Sequence, residues 1–140
     1  MKIYLKDIKE RFPEFEIRNY DENAFFTAFN HDSRTIKDGE IFIPLVGEKF
    51  DGHDFILQAL NDGADMAICE AKKSLLVKDA IKPVILVDSV REGLQKIMSL
   101  YTSHIDAKIM GITGSAGKTT TRKILSTILS CNGSVLSAEG

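Results

Sequence analysis

Proline and cysteine are scarce in this chain: its 140 residues hold three prolines, ten glycines and two cysteines. That is too little glycine and proline for a collagen-like or low-complexity protein. Cys69 and Cys131 lie far apart in apolar-looking stretches, a spacing that suits neither a disulfide framework nor a metal site. Two buried thiols in a reducing cytoplasm are the expectation. No apolar run approaches the roughly 18 residues of a membrane helix. The start, Met1-Lys2-Ile3-Tyr4-Leu5-Lys6-Asp7, mixes charge into its apolar residues and has no signal-peptide core. Charge of one sign is missing as well. The formal net charge is -2 at neutral pH, which leaves no electrostatic case for a nucleic acid or an anionic membrane surface as partner.

What is present is an ordinary globular composition, 44% hydrophobic and 27% charged, in a length that suits one domain or two small ones. The charge is slightly uneven. From Gly111 onward Lys118, Arg122 and Lys123 face only Glu139, so that stretch is net positive and residues 1–110 carry the excess acid.

Leu5, Ile8 and Phe12 have helical spacing and Pro13 ends the run, which predicts a short helix over 4–12. Residues 24–30 and 41–46 read as strands, with Pro44 marking an edge or a strand end. Asp54 is the expected cap of a helix carrying Phe55, Ile56, Ala59 and Leu60, with Gly63 as its stop. Residues 66–69 read as a short buried strand. Lys82-Pro83 is the candidate domain boundary. Beyond it the pattern predicts strands over 84–87, 108–113 and 134–137. Between them it predicts two helices, 90–104 capped by Ser89 and 118–131. Val90, Leu94, Ile97, Tyr101 and Ile105 stripe the first helix, and Ile124, Leu125, Ile128 and Leu129 are the expected buried face of the second. Alternating strands and helices predict an α/β protein: a small domain over 1–83, then the first part of a parallel-sheet domain over 84–140.

The strongest chemical signal is Gly114-Ser115-Ala116-Gly117-Lys118-Thr119-Thr120-Thr121, placed between an expected strand and an expected helix. There, loop and helix N–H groups converge on one point and the helix dipole favours an anion. Lys118 can reach the β- and γ-phosphates of a nucleotide, and the Thr119 hydroxyl can ligate Mg²⁺. Gly114, Ser115, Ala116, Gly117, Lys118, Thr119 and Thr120 are therefore the candidate ATP contacts, with Lys118 and Thr119 the candidate catalytic pair. The general eight-residue pattern wants a further glycine where Ile112 stands, so the motif is a shorter Gly-x-x-Gly-Lys-Thr. Thr120 and Thr121 are equally explained as helix-capping hydroxyls.

A second constellation comprises Asp32-Ser33-Arg34, Asp38-Gly39-Glu40-Ile41-Phe42, Gly47-Glu48-Lys49-Phe50-Asp51-Gly52-His53-Asp54-Phe55 and Gly63-Ala64. By spacing alone these are turns and a polar loop. His31, His53 and His104 have no metal-ligand spacing and are expected at the surface or in supporting roles, His53 being the exception to watch. Phe25, Phe26 and Phe29 read as core.

Taken together, these segments resemble the N-terminal domain of the Mur ligases. Gly111-Ile112-Thr113 with the glycine loop is similar to the phosphate loop of that family's central domain, which also has no extra upstream glycine. The phrase Gly-Glu-x-Phe-Asp-Gly-His-Asp-Phe resembles the branch that adds D-alanyl-D-alanine to UDP-N-acetylmuramoyl-tripeptide. The branch that adds the third amino acid tends to carry His-Gln-Ala where Glu48-Lys49-Phe50 stand. The resemblance implies a P-loop ATPase domain from residue 84 and an ATP- and Mg²⁺-dependent amide ligase of peptidoglycan synthesis, working through an acyl phosphate. It also implies a UDP-substrate domain whose candidate contacts are Asp32, Ser33, Arg34, Gly47, Glu48, Lys49 and Phe50. A non-catalytic nucleotide or UDP-sugar module and the third-residue ligase are the alternatives. Alone, the 140 residues are expected to have no turnover, because they carry no further metal-binding acids and no domain for the amine. They are also expected to self-associate through an open sheet near 109–113 or 134–137.

Overall fold

Side chains alternate along a strand, so a strand packed on both sides must be apolar throughout. That is the pattern of residues 66–69 and of Val84–Val87, and both are buried in the computed structural model, the first within a strand that runs on to the half-buried Glu70. The structure describes residues 1–48, 50–103 and 108–138. Lys49, His104, Ile105 and Glu139, singled out above, lie outside the described residues. The chain forms two units, Met1–Ile105 and Asp106–Gly140.

In the first unit, Ile3–Tyr4 (β1) pairs antiparallel with Phe25–Phe26 (β3). A five-stranded sheet is built from Glu16–Arg18 (β2), Ala28–Asn30 (β4), Glu40–Phe42 (β5), Met66–Glu70 (β6) and Val84–Val87 (β7). Its order is β2-β7-β6-β5-β4, with β2 antiparallel to β7 and the other pairs parallel. Ile41, Ile43, Met66, Ile68, Ile85 and Val87 enter one core with Leu5 and Ile8 of the helix Leu5–Arg11 (α1) and Val90 and Ile97 of Val90–Ser103 (α3). The alternate residues Phe42, Ala67, Cys69, Val84 and Leu86 enter a second core with Ile56, Ala59 and Leu60 of the helix Ile56–Asp62 (α2). The expected α/β class is therefore the observed one. Gly93 explains how closely α3 lies on β7, because a Cβ there would meet Val87 Cγ1 at 2.7 Å.

The expected strand over 24–30 is two strands in two sheets, β3 and β4, divided at Thr27, whose N–H donates to Gly39 O at 2.7 Å. The expected strand over 41–46 ends at Phe42, before Pro44. The largest correction concerns Lys82-Pro83, which is not a boundary. Asn19 Nδ2 donates to Ala80 O (2.7 Å) and Lys82 O (3.2 Å), Lys82 Nζ donates to Ala64 O (2.7 Å), and Ala67 N–H donates to Pro83 O (3.1 Å). Val84–Val87 is then an interior strand of the first unit rather than the start of a second.

In the second unit Lys118–Ser130 (α4) is the regular element among the described residues. Residues 108–113 and 134–137 are not strands. A strand exists only against a partner, and among the described residues no backbone hydrogen bond joins either run to one. The expected burial of α4 is corrected too: Ile124 and Ile128 are exposed and Leu125 and Leu129 half-buried. Cys69 is buried as expected, but Cys131 is exposed. Among the described residues no helix is long and apolar enough to cross a membrane.

Candidate functional site

Three parallel strands, β4, β5 and β6, deliver their following segments to the same end of the first unit's sheet. Crevices at the carboxyl ends of parallel strands are the usual place for ligands in α/β folds. After β4 comes a turn in which Thr35 N–H donates to Asp32 O at 3.1 Å, with Ser33 and Arg34 at its centre. Asp32 Oδ1 accepts from Arg34 N–H (3.0 Å) and Nε (2.8 Å), and Oδ2 accepts from the guanidinium at 2.7 Å. This pairing holds the Asp32 carboxyl at a pKa of about 2 and raises that of Arg34. Asp32 and Arg34 thus shape the turn and compensate each other's charge, leaving Ser33 as its neutral polar group.

After β5 the described residues of the segment 45–52 form a small hairpin. Gly52 N–H donates to Leu45 O at 2.8 Å, Val46 and Asp51 form a bridge, and Gly47 N–H donates to Phe50 O at 3.0 Å. Its tip presents Glu48 and Phe50 to solvent. The Phe50 ring lies over Gly47, where a Cβ would come within 2.6 Å of it.

The rest of that motif is architectural. Asp54 does not cap the helix α2, whose N-cap is Phe55 with no side-chain bond; Asp51 instead caps the preceding 3-10 turn Gly52–Phe55, accepting from His53 N–H at 3.0 Å. The buried His53 has Nδ1 2.6 Å from Asp51 Oδ1, and its Nε2 accepts from Glu70 N–H at 3.3 Å. With Nε2 accepting, Nδ1 carries the proton and donates to the carboxylate. Lys73, from the 3-10 helix Ala71–Val77, donates to Asp51 Oδ2. The Lys73 bond and the two from His53 push the Asp51 carboxyl well below the ordinary range, and Asp51 raises Lys73 in turn. No sequence signal marked Lys73, because its partner is twenty-two positions away. Gly39 has φ +83° and donates to Asp65 Oδ2 at 2.8 Å, while Glu40 Oε2 accepts from Asn30 Nδ2 (2.8 Å) and Lys37 N–H (2.9 Å). The Asp38-Gly39-Glu40 segment therefore builds the turn before β5.

In the second unit, residues 114–117 lead directly into α4. Gly114 (φ +152°) and Gly117 (φ +77°) both occupy the region that favours glycine. A Cβ at Gly117 would meet no atom within 4 Å, so backbone conformation rather than crowding calls for glycine there. Gly117 O accepts from Thr121 N–H at 2.9 Å, the first turn of the helix. Lys118 Nζ folds back to Gly114 O at 2.5 Å. Ser115, Ala116, Thr119 and Thr120 are exposed. The open loop, the free N–H groups at the start of α4 and the overhanging ammonium fit an anionic group such as a nucleotide phosphate. Among the described residues no cluster of His, Cys, Asp and Glu could hold a metal ion, which leaves the Thr119 hydroxyl as the one metal contact named from sequence.

The family model described as "Mur ligase family, catalytic domain" matches residues 26–102. The UDP-N-acetylmuramoyl-tripeptide–D-alanyl-D-alanine ligase of Bacillus subtilis is 36% identical over 98 residues, 70% of this chain and 21% of the relative. The UDP-N-acetylmuramoyl-L-alanyl-D-glutamate–2,6-diaminopimelate ligase of Rickettsia typhi is 36% identical over 101 residues, 72% of this chain and 19% of the relative. The crystal structure of a MurF ligase from Thermotoga maritima in complex with ADP superposes with a TM-score of 0.69 at 35% identity, over 81% of this chain and 25% of that one. The chain thus spans about a fifth to three-tenths of the length of the proteins it matches.

Proposed function

The chain belongs to the Mur ligase family, and from that membership we propose that it is the amino-terminal portion of an ATP-dependent amide ligase of peptidoglycan precursor synthesis. The reaction proposed is the joining of D-alanyl-D-alanine to UDP-N-acetylmuramoyl-tripeptide in the cytoplasm. The observation that carries the reading is the loop 114–117, with both glycines at positive φ, opening directly onto α4. The substrate assignment is supported by relatives named for that reaction and by the sequence Glu48-Lys49-Phe50, which differs from the His-Gln-Ala expected of the third-residue ligases. A diaminopimelate-adding relative of equal identity keeps that branch as the second reading.

In this reading the turn at Ser33 and the segment 47–50 hold the UDP end of the substrate. Backbone N–H groups of residues 114–117 and the start of α4 hold the nucleotide phosphates, Lys118 neutralises their charge, and Thr119 offers its hydroxyl to Mg²⁺. Bound ATP would supply the phosphoryl group that activates the substrate carboxylate. The 140 residues alone are expected to show no turnover. The exposed Ile109, Met110 and Leu136 offer a surface for self-association.

Calorimetric titration with Mg-ADP tests the assignment. Lys118→Ala removes a charge-assisted contact worth about 1.5–3 kcal/mol, so affinity is expected to fall roughly 10- to 150-fold without loss of fold. Equal affinities in the two proteins would sink it.

A further inference from the structure

We propose that Lys73 is a positioning residue for UDP-substrate recognition, holding the hairpin 45–52 in its binding geometry through Asp51 and His53. What the hairpin holds rests on the function proposed above; the tie itself rests on geometry alone.

Three features point to it. Asp51 stands next to the exposed tip residue Phe50 and is bridged to Val46, so fixing Asp51 fixes the base of the tip. Its carboxylate is committed on both oxygens, Oδ1 to the His53 N–H and Nδ1 and Oδ2 to Lys73. Two of those donors are anchored elsewhere on the sheet end. The His53 ring is buried and tied to Glu70 N–H, at the end of β6, and Lys73 rises from the 3-10 helix that follows the same strand. The hairpin, which follows β5, is thereby clamped to the neighbouring parallel strand. Lys73 Nζ also lies 3.4 Å from His53 Nδ1. With both nitrogens protonated, only the carboxylate between them makes that approach favourable.

The side chains of Lys73 and Asp51 are 26% and 31% exposed. Water can therefore solvate Asp51 if Lys73 is removed, and the expected cost falls on orientation more than on stability.

The 140-residue chain is titrated with UDP, followed by amide NMR, as wild type, Lys73→Met and Lys73→Arg. Methionine keeps an apolar stem without the charge, and arginine restores the charge. Lys73→Met is expected to move the amide signals of Gly47, Glu48 and Phe50 and to weaken UDP binding about tenfold, the scale of one lost preorganising contact. Melting is expected to fall by no more than about 4 °C, and Lys73→Arg to recover both signals and affinity. Unmoved tip amides with unchanged affinity in Lys73→Met would overturn the proposal. So would a loss that Lys73→Arg fails to recover. If wild type does not bind UDP, the functional reading fails, and the tip amides alone decide the clamp: moved by Met and restored by Arg upholds it, unmoved refutes it.

Discussion

A Cβ on Gly52 would lie 2.6 Å from the carbonyl oxygen of Leu45 and 2.7 Å from its nitrogen. Neither backbone atom can step aside without opening the hairpin. A Cβ on Gly47 would first meet the ring of Phe50, an exposed and movable side chain. Gly52→Ala is therefore expected to destabilise the first unit by about 1–3 kcal/mol, as overpacking typically does, and Gly47→Ala by clearly less. Urea unfolding of the two variants checks this, and equal midpoints would contradict the reading. The Gly47-to-Phe55 segment was legible in the sequence as a unit. The division of labour inside it was not. Gly52, Asp51 and His53 shape the loop, while Glu48 and Phe50 face solvent, and that distinction depends on Glu70, at the end of β6, and on Lys73, in the 3-10 helix that follows it, both far away in sequence. The same holds for Asp32-Ser33-Arg34, where two of three candidate contacts neutralise each other.

At the scale of elements, β7 decides how the first unit is held together. Its four residues are buried, two toward each core, and it lies between β2 and β6. A chain ending at residue 83 leaves the paired edges of both neighbours open and removes Val84, Ile85, Leu86 and Val87 from the cores. Such a chain is expected to show no cooperative thermal transition by circular dichroism, whereas residues 1–105 melt as one unit; a cooperative melt of 1–83 would contradict this. The strand itself was plain in the sequence as an apolar run between turn signals. Its membership was not, because a proline after a lysine looks like a linker, and only Asn19, Lys82 and Ala67 show the segment stitched down. Residues 108–113 show the reverse. Their pattern is that of a buried strand, but an apolar run specifies a strand only where a neighbour completes the ladder. The helix α4 formed where its periodicity placed it, yet Ile124 and Ile128 of its apolar stripe are exposed, since spacing records which residues share a face and not what packs on it.

For the molecule as a whole, two sites are proposed on two separately compact units: a turn and hairpin at the carboxyl ends of β4 and β5, and a glycine loop at the start of α4. The central claim is that the first recognises UDP and the second a nucleotide's phosphates, as the two ends of one ligase's chemistry. Amide NMR of the 140-residue chain, titrated separately with UDP and with Mg-ADP, tests it most directly. The account predicts that UDP moves the signals of Ser33, Gly47, Glu48 and Phe50, and that Mg-ADP moves those of residues 114–119. UDP-induced shifts confined to residues 114–119, with Ser33 and the hairpin tip unmoved, would contradict it by leaving only a generic phosphate site.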